Sequence, residues 1–249
     1  MKTAFIIQAR TGSSRFPKKT VLPFYKDKSV TELLIERLEN HFGKENIILA
    51  TTTSSDDNLL EQIAKRYEIK SFRGSEMDVL KRFTEAAITY GYDRMVRINA
   101  DNPFLEPRFI KPFLESLPPE TDYASYKFDD GTPAILSHTG LFAEFVTLKA
   151  LEKIAVETQD VFYREHVTNY IYLHPEKFHL HWFSIPHELQ KKNYRLTLDT
   201  KQDFELLKKI YTWWKSSDHP DDIYFLISEI QKNASWLKKM QDEMERNKK

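Results

Sequence analysis

Cysteine is absent from the chain. That excludes disulfides, thiolate nucleophiles and cysteine-ligated zinc together, and it suits a reducing compartment. Charge of either sign is not in surplus, because 37 Lys and Arg balance 37 Asp and Glu. Nucleic-acid binders usually carry a basic excess, so no nucleic-acid partner is expected, although a local cluster suffices for a small phosphorylated ligand. Nowhere is there an apolar run of about eighteen residues that could cross a membrane. The apolar stretch Ala4 to Ile7 after Met1-Lys2-Thr3 is too short for a signal peptide, so the expected setting is the cytoplasm, away from membranes. Repeats, low-complexity linkers and a clear domain break are also missing. Two phosphate-binding fingerprints are lacking as well: neither Gly-x-x-x-x-Gly-Lys-Ser/Thr nor Gly-x-Gly-x-x-Gly occurs.

What is present is strand–helix alternation over the first hundred residues. Ala4 to Ile7, Ile47 to Ala50, Lys70 to Phe72 and Met95 to Ile98 read as short buried strands. Between them, Ser29-Val30-Thr31-Glu32 is a capping box leading into Val30, Leu33, Leu34 and Leu38 on one helical face. Ser54 to Asp57 caps a second helix with Leu59, Leu60, Ile63, Ala64 and Tyr67 inward. Ser75 to Asp78 opens a third, closed by Gly91. This pattern gives an α/β fold, a mostly parallel sheet with helices on both faces. Residues 123–147 are expected to form antiparallel strands projecting from that sheet, and Phe178 to Ile185 another. Helices are expected at 148–157, 161–173, 201–215 and 221–232. One domain is expected to span 1–235, followed by a charged, solvated helical tail over 236–249.

The most informative segment is Gln8-Ala9-Arg10-Thr11-Gly12-Ser13-Ser14-Arg15-Phe16-Pro17-Lys18-Lys19. It follows the first strand at the carboxyl edge of a parallel sheet, where α/β proteins bind ligands. Gly12 permits close backbone approach, and Ser13 and Ser14 offer hydroxyl and N–H groups to phosphate oxygens. Arg10, Arg15, Lys18 and Lys19 supply positive charge. A solvated basic loop would look similar, but it would not need this place in the fold. Asp101 follows the fourth strand, and Asp199 follows the strand-like run Tyr194 to Leu198. Two such acids suit Mg²⁺, which takes one or two carboxylates plus phosphate oxygens and water. Each also has a bland reading, Asp199 as part of a helix cap and Asp101 as the start of an Asn-Pro turn.

The loop resembles the signature of the cytidylyltransferase family that includes 3-deoxy-manno-octulosonate and acylneuraminate cytidylyltransferases, in particular its spore-coat polysaccharide biosynthesis protein F branch. Four later segments are similar to the family's pattern in the same order: Arg73 to Arg82, Val96 to Pro103, Arg164 to Thr168 and Arg195 to Thr200. The resemblance implies a Rossmann-like, three-layer fold of the nucleotide-diphospho-sugar transferase type. It implies a Mg²⁺-dependent enzyme that moves CMP from CTP to a hydroxyl of an acidic or unusual sugar in surface polysaccharide synthesis. Gln8, Ala9, Arg10, Gly12, Ser13, Ser14, Arg15, Lys19, Arg73 and Asn99 then fall to the nucleotide, and Asp101 and Asp199 to the metal. Arg10, Arg15, Lys19 and Asp101 are the catalytic set. Glu144, Arg164, Glu165 and His166 fall to the acceptor, with an ion-pair cluster as the structural alternative. The 123–147 segment implies a homodimer. Lys18, Ala100 and Phe142 depart from the family's usual Gly, Gly and Asp. Those departures leave room for a non-catalytic binding relative, and a nucleotide-sugar-dependent glycosyltransferase is a further alternative. The latter usually shows Asp-x-Asp, of which Asn99-Ala100-Asp101 supplies one acid.

Overall fold

The computed structural model describes residues 2–247; Met1 and the last two positions of the expected tail, Lys248 and Lys249, lie outside them. The strands are β1 (Thr3–Gln8), β2 (Pro23–Tyr25), β3 (Lys28–Ser29), β4 (Ile47–Thr52), β5 (Lys70–Gly74), β6 (Arg94–Asn99), β7 (Tyr123–Lys127), β8 (Glu144–Thr147) and β9 (Leu180–Ser184). The helices are α1 (Val30–Phe42), α2 (Asn58–Arg66), α3 (Val79–Tyr90), α4 (Lys111–Glu115), α5 (Leu148–Glu157), α6 (Val161–Glu165), α7 (Asn169–Leu173), α8 (Lys201–Lys215), α9 (Ile223–Lys232) and α10 (Ala234–Arg246).

Seven strands form one sheet in the order β5-β4-β1-β6-β8-β7-β9. β1 pairs in parallel with β4 and β6, β4 with β5, and β7 with β9, while β8 runs antiparallel to both β6 and β7. Successive strand side chains point to opposite faces, and both faces are apolar. Phe5 and Ile7 join one core with α1, α2, α8 and α9. Ala4 and Ile6 join a second core with α3, α5 and α7. The fold class expected from the strand–helix alternation is therefore the one observed. The antiparallel expectation is corrected: β7, β8 and β9 are built into the central sheet rather than projecting from it, and only β8 is reversed, β7 and β9 running parallel to β1. The separate antiparallel piece is the hairpin β2–β3.

Three local expectations are corrected. Leu59 is 44% exposed rather than inward, because the buried face of α2 is centred on Leu60, Ile63 and Ala64 and leaves Leu59 at its edge. The single helix expected over 161–173 is two short ones. It breaks at His166 (ψ 58°), and Thr168 Oγ1 turns inward to donate to Glu144. The tail helix α10 is not solvated: Met240 is 1% exposed. Its sulfur accepts the Arg195 backbone N–H at 3.4 Å, and Glu243 accepts from Thr200 Oγ1 at 2.8 Å.

Candidate active site

A cleft runs along the carboxyl ends of β1 and β6. Gln8 and Asn99, the last residues of these strands, are register partners and both border it. The loop from Ala9 to Leu22 is held down from beneath by Asp57, which is 1% exposed. Its Oδ1 accepts the Thr11 N–H and hydroxyl, each at 2.7 Å, and its Oδ2 accepts the Thr52 N–H at 3.2 Å and hydroxyl at 2.5 Å. Burial pushes the Asp57 carboxyl up, but these hydrogen bonds outweigh it and hold the group below the usual carboxylate range. The loop then doubles back, Lys18 N–H donating to the Thr11 carbonyl at 2.8 Å, with Lys18 itself in the left-handed region at φ 63°.

That turn buries Lys19, whose ammonium group donates to the Leu198 carbonyl at 2.5 Å. It lies 3.5 Å from Asp101 and 3.4 Å from Asp199. The two acids come from distant stretches, joined by the Leu198 N–H donating to the Asp101 carbonyl at 2.8 Å. Asp199 also receives Arg15 and Arg195, each at 2.8 Å. Burial raises its carboxyl, and Lys19, Arg15 and Arg195 more than reverse this, so it is held below the usual range. Arg195 is itself fully buried and bidentate to Asp203, at 2.8 and 2.9 Å.

Two cavities meet across Asp101 and Asp199. The first, about 590 Å³, is bordered by Gln8, Arg10, Ser13, Ser14, Lys19 and Asn99. The second, about 690 Å³, is bordered by Arg97, His138, Phe142, Phe162, His166 and Tyr172. Arg15, Asn99, Asp101, Asp199 and Asn247 border both. Cations over a two-acid junction at a parallel-sheet edge form a seat for a polyphosphate with room for a second reactant beside it.

The sequence model of the cytidylyltransferase family matches residues 4–237. The chain belongs to the cytidylyltransferase family. It is 30% identical over 225 residues to the spore coat polysaccharide biosynthesis protein SpsF of Bacillus subtilis, covering 87% of this chain and 88% of that protein. It is similar to a solved cytidylyltransferase of Leptospira borgpetersenii at TM-score 0.81 and 32% identity, over 97% of this chain and 98% of the other. A CMP:2-keto-3-deoxy-manno-octonic acid synthetase complexed with CTP shares the fold at TM-score 0.63 and 14% identity, over 86% of this chain and 99% of the other.

In this cytidylyltransferase, Gln8, Ala9, Arg10, Ser13, Ser14, Arg15, Lys19, Asn99, Asp101 and Asp199 are all brought to the first cavity. Gly12 is exposed on the loop, where an added Cβ would meet Glu76 Oε1 at 3.2 Å; Glu76 lies 3.6 Å from Arg10. Arg73 is not brought there. Its guanidinium ties β5 to the start of α2, donating to the Thr52 and Ser54 carbonyls and to Asn58 and Glu61.

The four acceptor candidates separate. His166 borders the second cavity and Glu165 the first. Arg164 is engaged with Asp78, Gln159 and the Ala155 carbonyl. Glu144 is 2% exposed and inside the sheet, accepting from Arg97 at 2.5 Å, Tyr123 at 2.6 Å and Thr168 at 2.9 Å. Its ion pair is with Arg97, so the four candidates do not form one ion-pair cluster either. Of the departures, Lys18 points to solvent, while Ala100 is 2% exposed within the core. Phe142 stacks on Phe109 at 4.8 Å.

Sequence reasoning missed Arg97, His138 and Asn247. Arg97 carries a readable signal, since a guanidinium inside a strand two residues before Asn99 must find a partner. His138 and Asn247 carry none, because their place depends on a loop and on the docking of α10.

Proposed function

We propose that the protein transfers CMP from CTP to a hydroxyl group of an acidic or unusual sugar, releasing pyrophosphate, in the cytoplasmic synthesis of a surface polysaccharide. The observation that carries this reading is Lys19 set 3.5 and 3.4 Å from Asp101 and Asp199 where the two cavities join. The nucleotide occupies the first cavity, its phosphates toward Arg10, Arg15 and Lys19, and the acceptor occupies the second. The acceptor hydroxyl oxygen bonds to the α-phosphorus, the bond to the β-phosphate oxygen breaks, and the hydroxyl proton is released. The loop cations stabilise the charge that builds on the leaving pyrophosphate. Holding both reactants across one junction removes much of the entropic barrier.

The donor set fits Mg²⁺. Among the described residues no group of three or more His, Asp or Glu converges on a metal position, as a dedicated all-protein site would need. Two carboxylates beside a phosphate seat are what Mg²⁺ uses. Asp101, whose side chain is a third exposed and, among the described residues, is paired with Lys19 alone at 3.5 Å, would hold it. Asp199 would join it as Arg15 and Lys19 turn from its Oδ1 to the phosphates. When bound, it would neutralise phosphate charge and favour attack at phosphorus. A homodimer belongs to the same reading, and light scattering should give about twice the 29.5 kDa of one chain.

The test is pyrophosphate release from each of the four ribonucleoside triphosphates with Mg²⁺ and a panel of sugar acids. Release is expected with CTP, and Asp101→Asn should lower turnover by about 100-fold or more, a metal contact being worth several kcal/mol, with an unchanged circular dichroism spectrum. No release with any triphosphate would leave only a binding protein.

A further inference from the structure

The 134–142 loop lies flat against the stretch that leads to Asp199. The Leu196 N–H donates to the His138 carbonyl at 2.8 Å. Gly140, at φ 63°, comes so close that an added Cβ would meet the Leu196 carbonyl oxygen at 3.0 Å. The half-buried His138 ring is thereby set on Arg195, whose Nη1 lies 2.7 Å from Nδ1, with Thr197 Oγ1 at 3.5 Å from the same nitrogen. Arg195 is not free to turn away. Its side chain is fully buried, and it gives Nε and Nη2 to Asp203 at 2.8 and 2.9 Å and Nη2 also to Asp199 at 2.8 Å. Only Nη1 is left for the imidazole. A guanidinium can donate but not accept, so Nδ1 accepts, and the one proton of the neutral ring stays on Nε2. A second proton would set an N–H against an N–H beside a buried cation. Burial and Arg195 accordingly hold the ring's pKa below its ordinary value, with Arg15 also lowering it and Asp199 and Asp203 opposing them. Nε2 makes no hydrogen bond among the described residues and is not sealed from solvent, on a ring that borders the second cavity.

We propose that His138 is a fixed, neutral donor, giving its Nε2–H to a hydroxyl or carbonyl oxygen of the sugar in the second cavity, and that it does not take the proton of the attacking hydroxyl. The only lone pair with which the ring could act as a base is spent on Arg195. His138 therefore places the acceptor and leaves proton transfer to another group. Arg195 acts through His138 as a positioning residue, because it decides which ring nitrogen carries the proton. This inference rests on the nucleotidyl-transfer reading, and the experiment separates the two.

The two ring nitrogens can be replaced one at a time. His138→Asn puts an amide oxygen where Nδ1 stood, so Arg195 keeps its partner, but nothing replaces Nε2–H. His138→Gln puts an amide N–H near the place of Nε2 and leaves Arg195 Nη1 without its acceptor. Pyrophosphate release is measured with CTP and 2-keto-3-deoxy-manno-octonic acid or N-acetylneuraminic acid, alongside CTP binding by calorimetry and thermal melting. His138→Asn should raise KM for the sugar about 3- to 10-fold, the range for one neutral hydrogen bond, with kcat and CTP binding within about twofold of wild type. His138→Gln should keep KM near wild type and melt at a lower temperature. Nitrogen-15 spectra of the wild type at about pH 8, well above the ordinary pKa, should show Nε2 protonated and Nδ1 bare, the signal being assigned by its absence from His138→Asn. The opposite tautomer overturns the proposal, as does an unchanged KM in His138→Asn or a KM in His138→Gln as high as that of His138→Asn. So does a fall in kcat of about 100-fold or more in His138→Asn, which is the loss expected of a general base. No release from wild type with either sugar overturns the nucleotidyl-transfer reading itself, and this inference with it.

Discussion

Lys18 sits at φ 63°, a backbone region in which a Cβ crowds the following carbonyl at about 1–2 kcal/mol. The family's glycine at this position avoids that strain, at an entropic cost of about 0.5–1 kcal/mol. Because the Lys18 side chain is exposed and does not border the cleft, its charge is not what holds it there. Lys18→Gly should therefore raise stability by about 0.5–1 kcal/mol in urea melts while leaving KM for CTP nearly unchanged. A large rise in KM would instead make Lys18 a phosphate contact. His138 gives a second prediction. Burial lowers its pKa, and Arg195, whose Nη1 meets Nδ1 at 2.7 Å, lowers it further. The folded protein thus binds fewer protons here than the unfolded chain. The stabilisation is complete above the unfolded pKa of about 6.5 and is lost as pH falls from there toward the folded value. Melting temperature should drop between about pH 7 and 5, and His138→Asn should flatten that slope.

At the scale of elements, the parts with strong local codes were legible. The capping box at Ser29 is present, Glu32 accepting the Ser29 N–H at 2.8 Å, and Gly91 closes α3 at φ 69°. What stayed hidden lacks such codes. The hairpin β2–β3 turns through Lys26 and Asp27, both at positive φ, where Asn-Gly or Asp-Gly would have announced it. The break between α6 and α7 comes from a tertiary bond, Thr168 to Glu144, that helical periodicity does not register. The docking of α10 was masked by its charge, because a helix rich in Lys and Glu hides the few apolar residues, Trp236, Leu237 and Met240, that pack against the core. Most of the loop that borders the first cavity was readable because it is contiguous; the second cavity was not, because it is assembled from β6, the 134–142 loop, α6, α7 and α10. Met240 measures the docking of α10. Truncating a buried Met to Ala removes its burial and leaves a cavity, so Met240→Ala should cost about 2–4 kcal/mol in denaturant melts. A cost under about 0.5 kcal/mol, the size of an ordinary surface change, would show the helix is dispensable.

For the molecule as a whole, the site is where the stretch from Arg195 onward closes onto the stretch that ends at Asp101. Arg15 and Lys19 from the loop after β1 reach Asp199 and the Leu198 carbonyl, and Leu198 bonds back to Asp101. Arg195 then links this seam to α8 through Asp203 and to α10 through Met240. Phe24 of the hairpin meets Phe204 and Tyr211 of α8 at 5.5 Å, so the two stretches share one apolar core as well as the polar seam. Such a core cannot be halved without exposing both sides, and the chain should unfold in one step. All four tryptophans, Trp182, Trp213, Trp214 and Trp236, lie in the last 70 residues, so fluorescence follows the C-terminal part while far-ultraviolet circular dichroism follows every helix and strand. The two transitions in urea should coincide in midpoint and slope. If fluorescence changes first, the C-terminal helices are a separable cap, and nucleotide binding should disappear with the first transition rather than the second, because Asp199 leaves with them.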